Sequence, residues 1–413
     1  MNTEIITIGD ELLIGQVVDT NSAWMGEQLE KEGFPVVWKT TVGDVGEHLL
    51  EAIDKALSRS QIVLLTGGIG PTKDDITRDT LCRYFNSELH FSEEVYADIK
   101  RLFEHSGRKI NTLTRNQAMV PDACTVIRNY AGTAPCTWFE REGRVLVSMP
   151  GVPIEMKWLM MNEVIPRLKS AFHSGVYIHH HTLWVEGYSE SELALALKDF
   201  EMQLPSYMKL AYLPQAGVVR LRLSAFTGND GELSDVIAGQ HVHLHRLLAG
   251  HILSEEDRAP EEMLGRKLLE QGLTVGTAES CTGGRIASLI TSIPGSSHYY
   301  KGSVIAYAND VKCRVLGVKR QALRSYGAVS RQVVEQMAMK AIRTLECDCA
   351  IATSGIAGPD GGTPDKPVGT VWIAAAYGEQ LLSTCYQFGT LREMTIVRAS
   401  NTALIMLLRL LNE

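Results

Sequence analysis

Two short apolar runs, "EIITIG" (4–9) and "QIVLLTGG" (61–68), have the length of buried strands, and each stops at glycine. Helical text lies between them. "NSAWMGEQLEKEG" (21–33) starts on Asn and stops on Gly, and "GEHLLEAIDKALSRS" (46–60) forms a second helix behind the strand "FPVVWKTTVG" (34–43). This βαβα order predicts an open, mostly parallel sheet with ligands at the carboxyl ends of its strands.

The pattern does not continue unbroken. A chain of 413 residues exceeds one ordinary core. Over 176–252, "YIHHHTLWVEG" and "GVVRLRLSAFTG" suit an antiparallel sheet, with the helix "ESELALALKDFE" between them. The charged stretch "SEEDRAPEE" (254–262) predicts a linker. Residues 258–413 resume strand–helix alternation, including the strands "LTVGTA", "GSVIAYA", "CAIATSGIAG" and "GTVWIAAAYG". The expected fold is therefore α/β in three parts: an open-sheet domain over 1–172, a small α+β module over 176–252 and a mixed α/β domain over 258–413.

Charge and cysteines narrow the class. A net charge of −8 argues against a general nucleic-acid binder. No apolar run is long enough to span a bilayer, and "MNTEIITIGDELL" enters folded structure without a leader pattern. The eight cysteines are scattered, without a CxxC pair. Reduced thiols in a cytoplasmic protein are the expectation.

"TGGIGPTKDDITRDT" (66–80) follows a buried strand and opens a helix. Gly67, Gly68 and Gly70 allow close backbone approach, and free N–H groups near a helix start can bind phosphate. Asp74, Asp75 and Asp79, with Asp10 and Glu11 from "GDE" (9–11), offer carboxylates to a hard divalent cation. An ordinary turn with acids complementing the helix dipole is the competing account.

"AESCTGGR" (278–285) is another strand–turn–helix corner. Ser280 there exposes a hydroxyl where helix N–H groups, with a helix expected from about Thr282, can stabilise an oxyanion; Gly283 and Gly284 keep the approach clear. Cys281 is a rival nucleophile. The base is either His298 in "GSSHYY" or Lys312 in "YANDVK" (307–312); a helix start and a dry pocket would both lower the lysine pKa. The loop "SGIAGPDGGTPDKPVGT" (354–370), with Gly355, Gly358, Gly361 and Gly362, is either a long surface loop or a phosphate cradle.

The motifs together resemble the competence/damage-inducible CinA family. "TIGDELLIGQVVDTN", "TGGIGPTKDDITRD", "RNQAMVP", "NYAGTAP" and "MPGVPIEM" resemble its N-terminal domain, which is similar in fold to molybdopterin-binding proteins. That resemblance implies a pyrophosphatase acting on ADP-ribose with a divalent metal. The matching positions are Asp10, Glu11, Asn21, Gly67 through Asp79 (Thr72 among them), Pro150, Gly151 and Glu155. Cys136 departs from a family glycine and is expected to crowd the ligand or tilt the turn. "TAESCTGG", "GSVIAYANDVK", "YGAVS", "TSGIAGPDGGTPDKPVGTVW" and "FGTLREMTIVRAS" resemble the family's C-terminal amidohydrolase of nicotinamide mononucleotide (NMN). It implies Ser280 as nucleophile, Lys312 as base, Tyr307 as a proton relay, Thr282 and the glycines as substrate contacts, Arg392 as a phosphate or dyad support, and no cofactor in this domain. A homodimer working on small nucleotides, with neither membrane nor nucleic acid as partner, completes the expectation.

The middle part resembles the family's KH-like insert but has no GXXG loop flanked by basic residues. "HHH" (179–181) and "HVHLH" (241–245) each place two histidines on one face of a strand or helix, which is half a metal site, with no acid or cysteine in a binding spacing.

Overall fold

A computed structural model describes the chain except residues 73, 107–108, 173–176, 216–217, 228–229 and 413. The boundary expected between 172 and 176 thus falls on residues outside the described ones. By contact density the chain divides into two compact units, Met1–His179 with Ala225–Asp235, and His180–Ser224 with Val236–Glu413.

The first unit contains a six-stranded sheet in the order Val36–Val42, Thr3–Ile8, Ile62–Thr66, Arg144–Met149, Cys136–Arg141, Thr125–Ile127. The first four strands are mutually parallel and the last two pair antiparallel. Strand alternation distributes the apolar side chains over two layers. Ile5, Leu64 and Val147 pack with Met25 and Leu29 of the helix Thr20–Lys31. Ile6, Ile8, Val63 and Leu65 pack with Leu49, Ile53 and Ala56 of the helix Gly46–Arg59. Both faces being covered explains why the central strands Thr3–Ile8 and Ile62–Thr66 are buried along their whole length.

Over residues 177–254 a four-stranded sheet runs Met208–Gln215, Val218–Thr227, Tyr177–Glu186, Ile252–Ser254. A five-stranded sheet runs Tyr300–Ile305, Val275–Glu279, Cys349–Gly355, Thr370–Tyr377, Gln380–Gln387. Its first three strands are parallel and its last two antiparallel. The strand Gln380–Gln387 is absent from the sequence expectation; Gly378, at φ +57°, turns the preceding strand into it as a hairpin. Ala278, Ala350, Ala352, Ala374 and Ala376 make one face shallow, and the helix Arg331–Leu345 lies on it. Val275, Ile351 and Ile373 face the helices Pro260–Gln271 and Arg392–Leu410 on the other. Among the described residues no helix is long and apolar enough to cross a membrane.

Candidate functional site

The parallel strands Val275–Glu279, Tyr300–Ile305 and Cys349–Gly355 end at one edge, where an open α/β sheet forms its crevice. Ser280 follows the first, Tyr307 and Lys312 the second, and the glycine loop the third. The backbone N–H of Ser280 donates to Thr353 O at 3.1 Å, which ties the turn to the neighbouring strand. Lys312 is 1% exposed. Its Nζ lies 2.9 Å from Ser280 Oγ, 2.7 Å from Ala306 O and 3.1 Å from Tyr307 O. The two carbonyls can only accept. In the neutral amine they would take both N–H bonds and leave the lone pair facing the Ser280 hydroxyl, which would then donate. Burial holds Lys312 below the ordinary lysine pKa. The expected dipole contribution is absent: Lys312 occupies the last turn of the helix Asn309–Arg314, where the dipole favours positive charge. Desolvation is what lowers this amine's pKa.

Glu279, fully buried beside Ser280, escaped the sequence reading. Its Oε2 accepts from Thr282 Oγ1 (2.7 Å), Gly284 N (2.9 Å) and Ile286 N (3.2 Å). Its Oε1 accepts from Ala287 N (2.8 Å) and Thr277 Oγ1 (3.2 Å). The acid satisfies the donors that open the helix Arg285–Thr291. A glutamate closing an otherwise apolar strand just before "SCTGG" was the available signal.

The arrangement narrows the expected oxyanion donors. Gly283 N donates to Ser280 O at 3.1 Å and Gly284 N is held by Glu279, which leaves the N–H groups of Cys281 and Thr282. The Thr282 hydroxyl is engaged by Glu279 and by Thr353 Oγ1 at 2.8 Å, so it shapes the turn. The helix starts at Arg285, three residues later than expected, because the glycines turn at φ +62° and +98°. Burial pushes the Cys281 thiol up to about 12, against thiolate formation, and its Sγ packs beneath Gly355. His298 is exposed in the turn Ser296–His298.

Arg392, the first residue of the helix Arg392–Leu410, donates from Nη1 to Gly358 O at 2.8 Å and from Nη2 to Tyr307 Oη at 3.1 Å. It links the glycine loop to Tyr307, in the segment that leads into the helix of Lys312. Tyr307 meets the lysine through its carbonyl, while its ring is 60% exposed. Gly358 and Gly362 both press against Val368, and Gly361 turns at φ +92° beside Ile356. These glycines serve the loop's own packing.

A second crevice opens in the first unit at the ends of Thr3–Ile8, Val36–Val42, Ile62–Thr66 and Arg144–Met149. Asp10 N donates to Asp44 Oδ2 at 3.0 Å, and Asp44 N donates to Asp10 Oδ1 at 3.2 Å. Asp44 was not among the expected acids, although "TIGD" (7–10) and "TVGD" (41–44) repeat one another and the register pairs Ile8 with Val42. Burial raises the Asp44 pKa, and the carboxylates of Asp10, Glu11 and Asp74 add to the rise against the Asp10 N–H bond. Asp75 turns into the loop instead: it accepts from Gly70 N (2.7 Å), Thr72 N (2.7 Å) and Thr72 Oγ1 (2.6 Å). Thr72 is spent on the same contact. Asp79 is exposed on the helix Thr77–Phe85 and lies 3.5 Å from Arg78.

The cleft wall includes Glu11, Gly67, Gly68, Gly70, Gly151 and Glu155. A Cβ on Gly67 would stand 2.3 Å from Ile8 O, so that position admits no side chain. Asn21 Nδ2 donates to Gly151 O at 2.8 Å and to Thr66 Oγ1 at 3.2 Å, while its Oδ1 is buried without a hydrogen-bond partner. Glu155 accepts from Asn129 Nδ2 at 2.6 Å, and its pKa is raised by burial. Cys136 does not crowd this cleft. It pairs with Ile127 and is buried in the core with Trp138, away from the wall formed by Thr133 and Ala134.

Residues 4–170 match a family model described as a probable molybdopterin binding domain, and residues 257–411 match the CinA C-terminal domain. A CinA-like protein of Flavobacterium psychrophilum is 44% identical, with 98% of each chain covered. Another, from Cytophaga hutchinsonii, is 42% identical over 99% of this chain and 98% of its own. A solved structure of the competence/damage inducible protein CihA from Agrobacterium tumefaciens is 38% identical, covering 39% of this chain and all of its own (100%), with a TM-score of 0.36. With relatives of this identity along nearly its whole length, the chain belongs to the CinA family.

Proposed function

We propose that the second unit deamidates NMN to nicotinate mononucleotide and ammonia. The buried Lys312 amine 2.9 Å from Ser280 Oγ carries this reading. Neutral Lys312 takes the Ser280 proton as Oγ attacks the carboxamide carbon. The N–H groups of Cys281 and Thr282 receive the oxyanion. Collapse breaks the C–N bond, and the lysine proton leaves with ammonia. Water, deprotonated by the same amine, then cleaves the acyl-serine ester and regenerates the serine. The assay is ammonia release from NMN by the full chain; a wild type that releases none overturns the proposal. Cys281→Ala retains activity within about threefold, because the raised thiol pKa leaves no nucleophile to lose. Arg392→Ala raises KM for NMN roughly tenfold by loosening the junction with Gly358 and Tyr307 and removing a phosphate partner.

For the first unit we propose metal-dependent hydrolysis of ADP-ribose to AMP and ribose 5-phosphate. Asp10, Glu11, Asp44 and Asp74 supply the negative charge that would attract the cation, though no three of their carboxylates lie within 4.8 Å of one another, and the repulsion at Asp44 is what a cation would relieve. When bound, a divalent metal neutralises pyrophosphate charge and acidifies a water molecule. The chain itself contributes a side-chain-free approach at Gly67 and an unpaired acceptor at Asn21 Oδ1. Asp44→Asn is expected to lower metal-dependent AMP release about a hundredfold, whereas Asp79→Asn changes it less than about twofold. The readout is AMP formed as magnesium or manganese is titrated. Equal losses in both variants would overturn this division of the acids, and ADP-ribose bound without AMP formed would leave a binding domain.

A further inference from the structure

The histidine pairs give half a metal site in sequence, and the fold of the second unit supplies the missing acid. His241 and His245 sit one turn apart on the helix Asp230–Leu247. Their Nε2 atoms are 3.2 Å apart. The chain then turns through the strand Ile252–Ser254 and returns Glu255 to the same point. One Glu255 oxygen lies 3.2 Å from His245 Nε2 and the other 3.5 Å from His241 Nε2. We infer that His241, His245 and Glu255 bind a borderline divalent transition metal, zinc or cobalt in class, which clamps this helix to the chain segment entering the C-terminal domain.

Three observations carry the site. The first is spacing. Ligands about 2.0–2.1 Å from a tetrahedral ion stand about 3.3 Å from each other, close to the separations found here. The second is ligand chemistry. Two imidazole nitrogens with one carboxylate suit zinc or cobalt and disfavour magnesium or calcium, which prefer oxygen throughout. The third is crowding: the His181 ring centroid is 4.1 Å from that of His241, and the His245 ring is 4.4 Å from it. Among the described residues this is the one group of ligand atoms from three such side chains lying within 4.8 Å of one another. The acids of the first-unit cleft are all-oxygen donors and do not draw together to this extent.

The site also has something to hold. Next to Glu255, Glu256 O accepts from Trp184 Nε1 at 2.8 Å, and the Glu256 carboxylate meets Arg266 of the helix Pro260–Gln271 at 2.7 Å. An ion at Glu255 therefore fixes one end of a run of contacts that leads into the helix Pro260–Gln271.

The test is a cobalt titration of the untagged, metal-free full chain. We expect the visible bands of low-coordinate cobalt at one equivalent, which an all-oxygen octahedral site does not produce. His245→Gln and Glu255→Gln each weaken cobalt binding at least about tenfold, and zinc raises the melting temperature of the wild type more than that of either variant. Absence of the bands in the wild type overturns the proposal. So do bands unchanged in Glu255→Gln, whose side chain is 53% exposed and whose replacement leaves the fold intact even where His245→Gln disturbs it.

Discussion

Ser280→Ala is expected to lower ammonia release from NMN by about 10⁴-fold while leaving the melting temperature near that of the wild type. The hydroxyl is a single atom whose partner, Lys312, keeps its bonds to Ala306 O and Tyr307 O without it. Lys312→Met should lose a comparable factor for a different reason: the nucleophile remains but nothing accepts its proton. Lys312→Arg should not rescue it, because guanidinium stays charged. The pH profile follows from the same burial. Activity rises with pH through the lowered lysine pKa and is flat above it. Stability has a matching sign. Between the lowered folded value and the ordinary lysine value, the unfolded chain binds more protons than the folded one, so the wild type gains stability as pH rises. Lys312→Met lacks that gain. Denaturation of both proteins at about pH 7 and about pH 10 reads the difference; a gap that does not move with pH would mean that Lys312 is charged in the fold.

Glu279→Gln should be the most damaging conservative change in the C-terminal domain. Both carboxylate oxygens accept, and a Gln amide would turn an N–H group toward donors in at least one of the two positions. Each buried N–H left without a partner costs about 1–3 kcal/mol. A loss of about 3–5 kcal/mol is expected, with turnover falling because the same turn carries Ser280. Chemical denaturation together with kcat measures both effects. A variant within about 1 kcal/mol of wild type would show that the bond from Ser280 N to Thr353 O holds the turn without the acid. Glu279 acts through the position of Ser280 and touches no reacting atom.

Much of this was legible in one dimension. Buried strands ending in glycine announced an α/β chain, because a strand covered on both faces has no polar side to show, and the turn after it is where backbone meets ligand. Ser280 and Lys312 were marked by their places after two such strands, and the acids and glycines at residues 9–11 and 66–80 by theirs. Asp75 and Thr72 turned inward to shape the loop through local hydrogen bonds that the sequence reading missed. Three things were decided only by the tertiary structure. Asp44 joined Asp10 because parallel strands set their ends side by side. Glu255 reached two histidines across a turn that no helical or strand spacing describes. Lys312, already a candidate base in the sequence, gained its full burial from the fold, a property of what packs around a residue and not of its neighbours in the chain. Periodicity and turn chemistry are local, so the sequence alone determined the elements and where their ends lie. Proximity across strands and removal from water are collective, and only the folded chain could decide them.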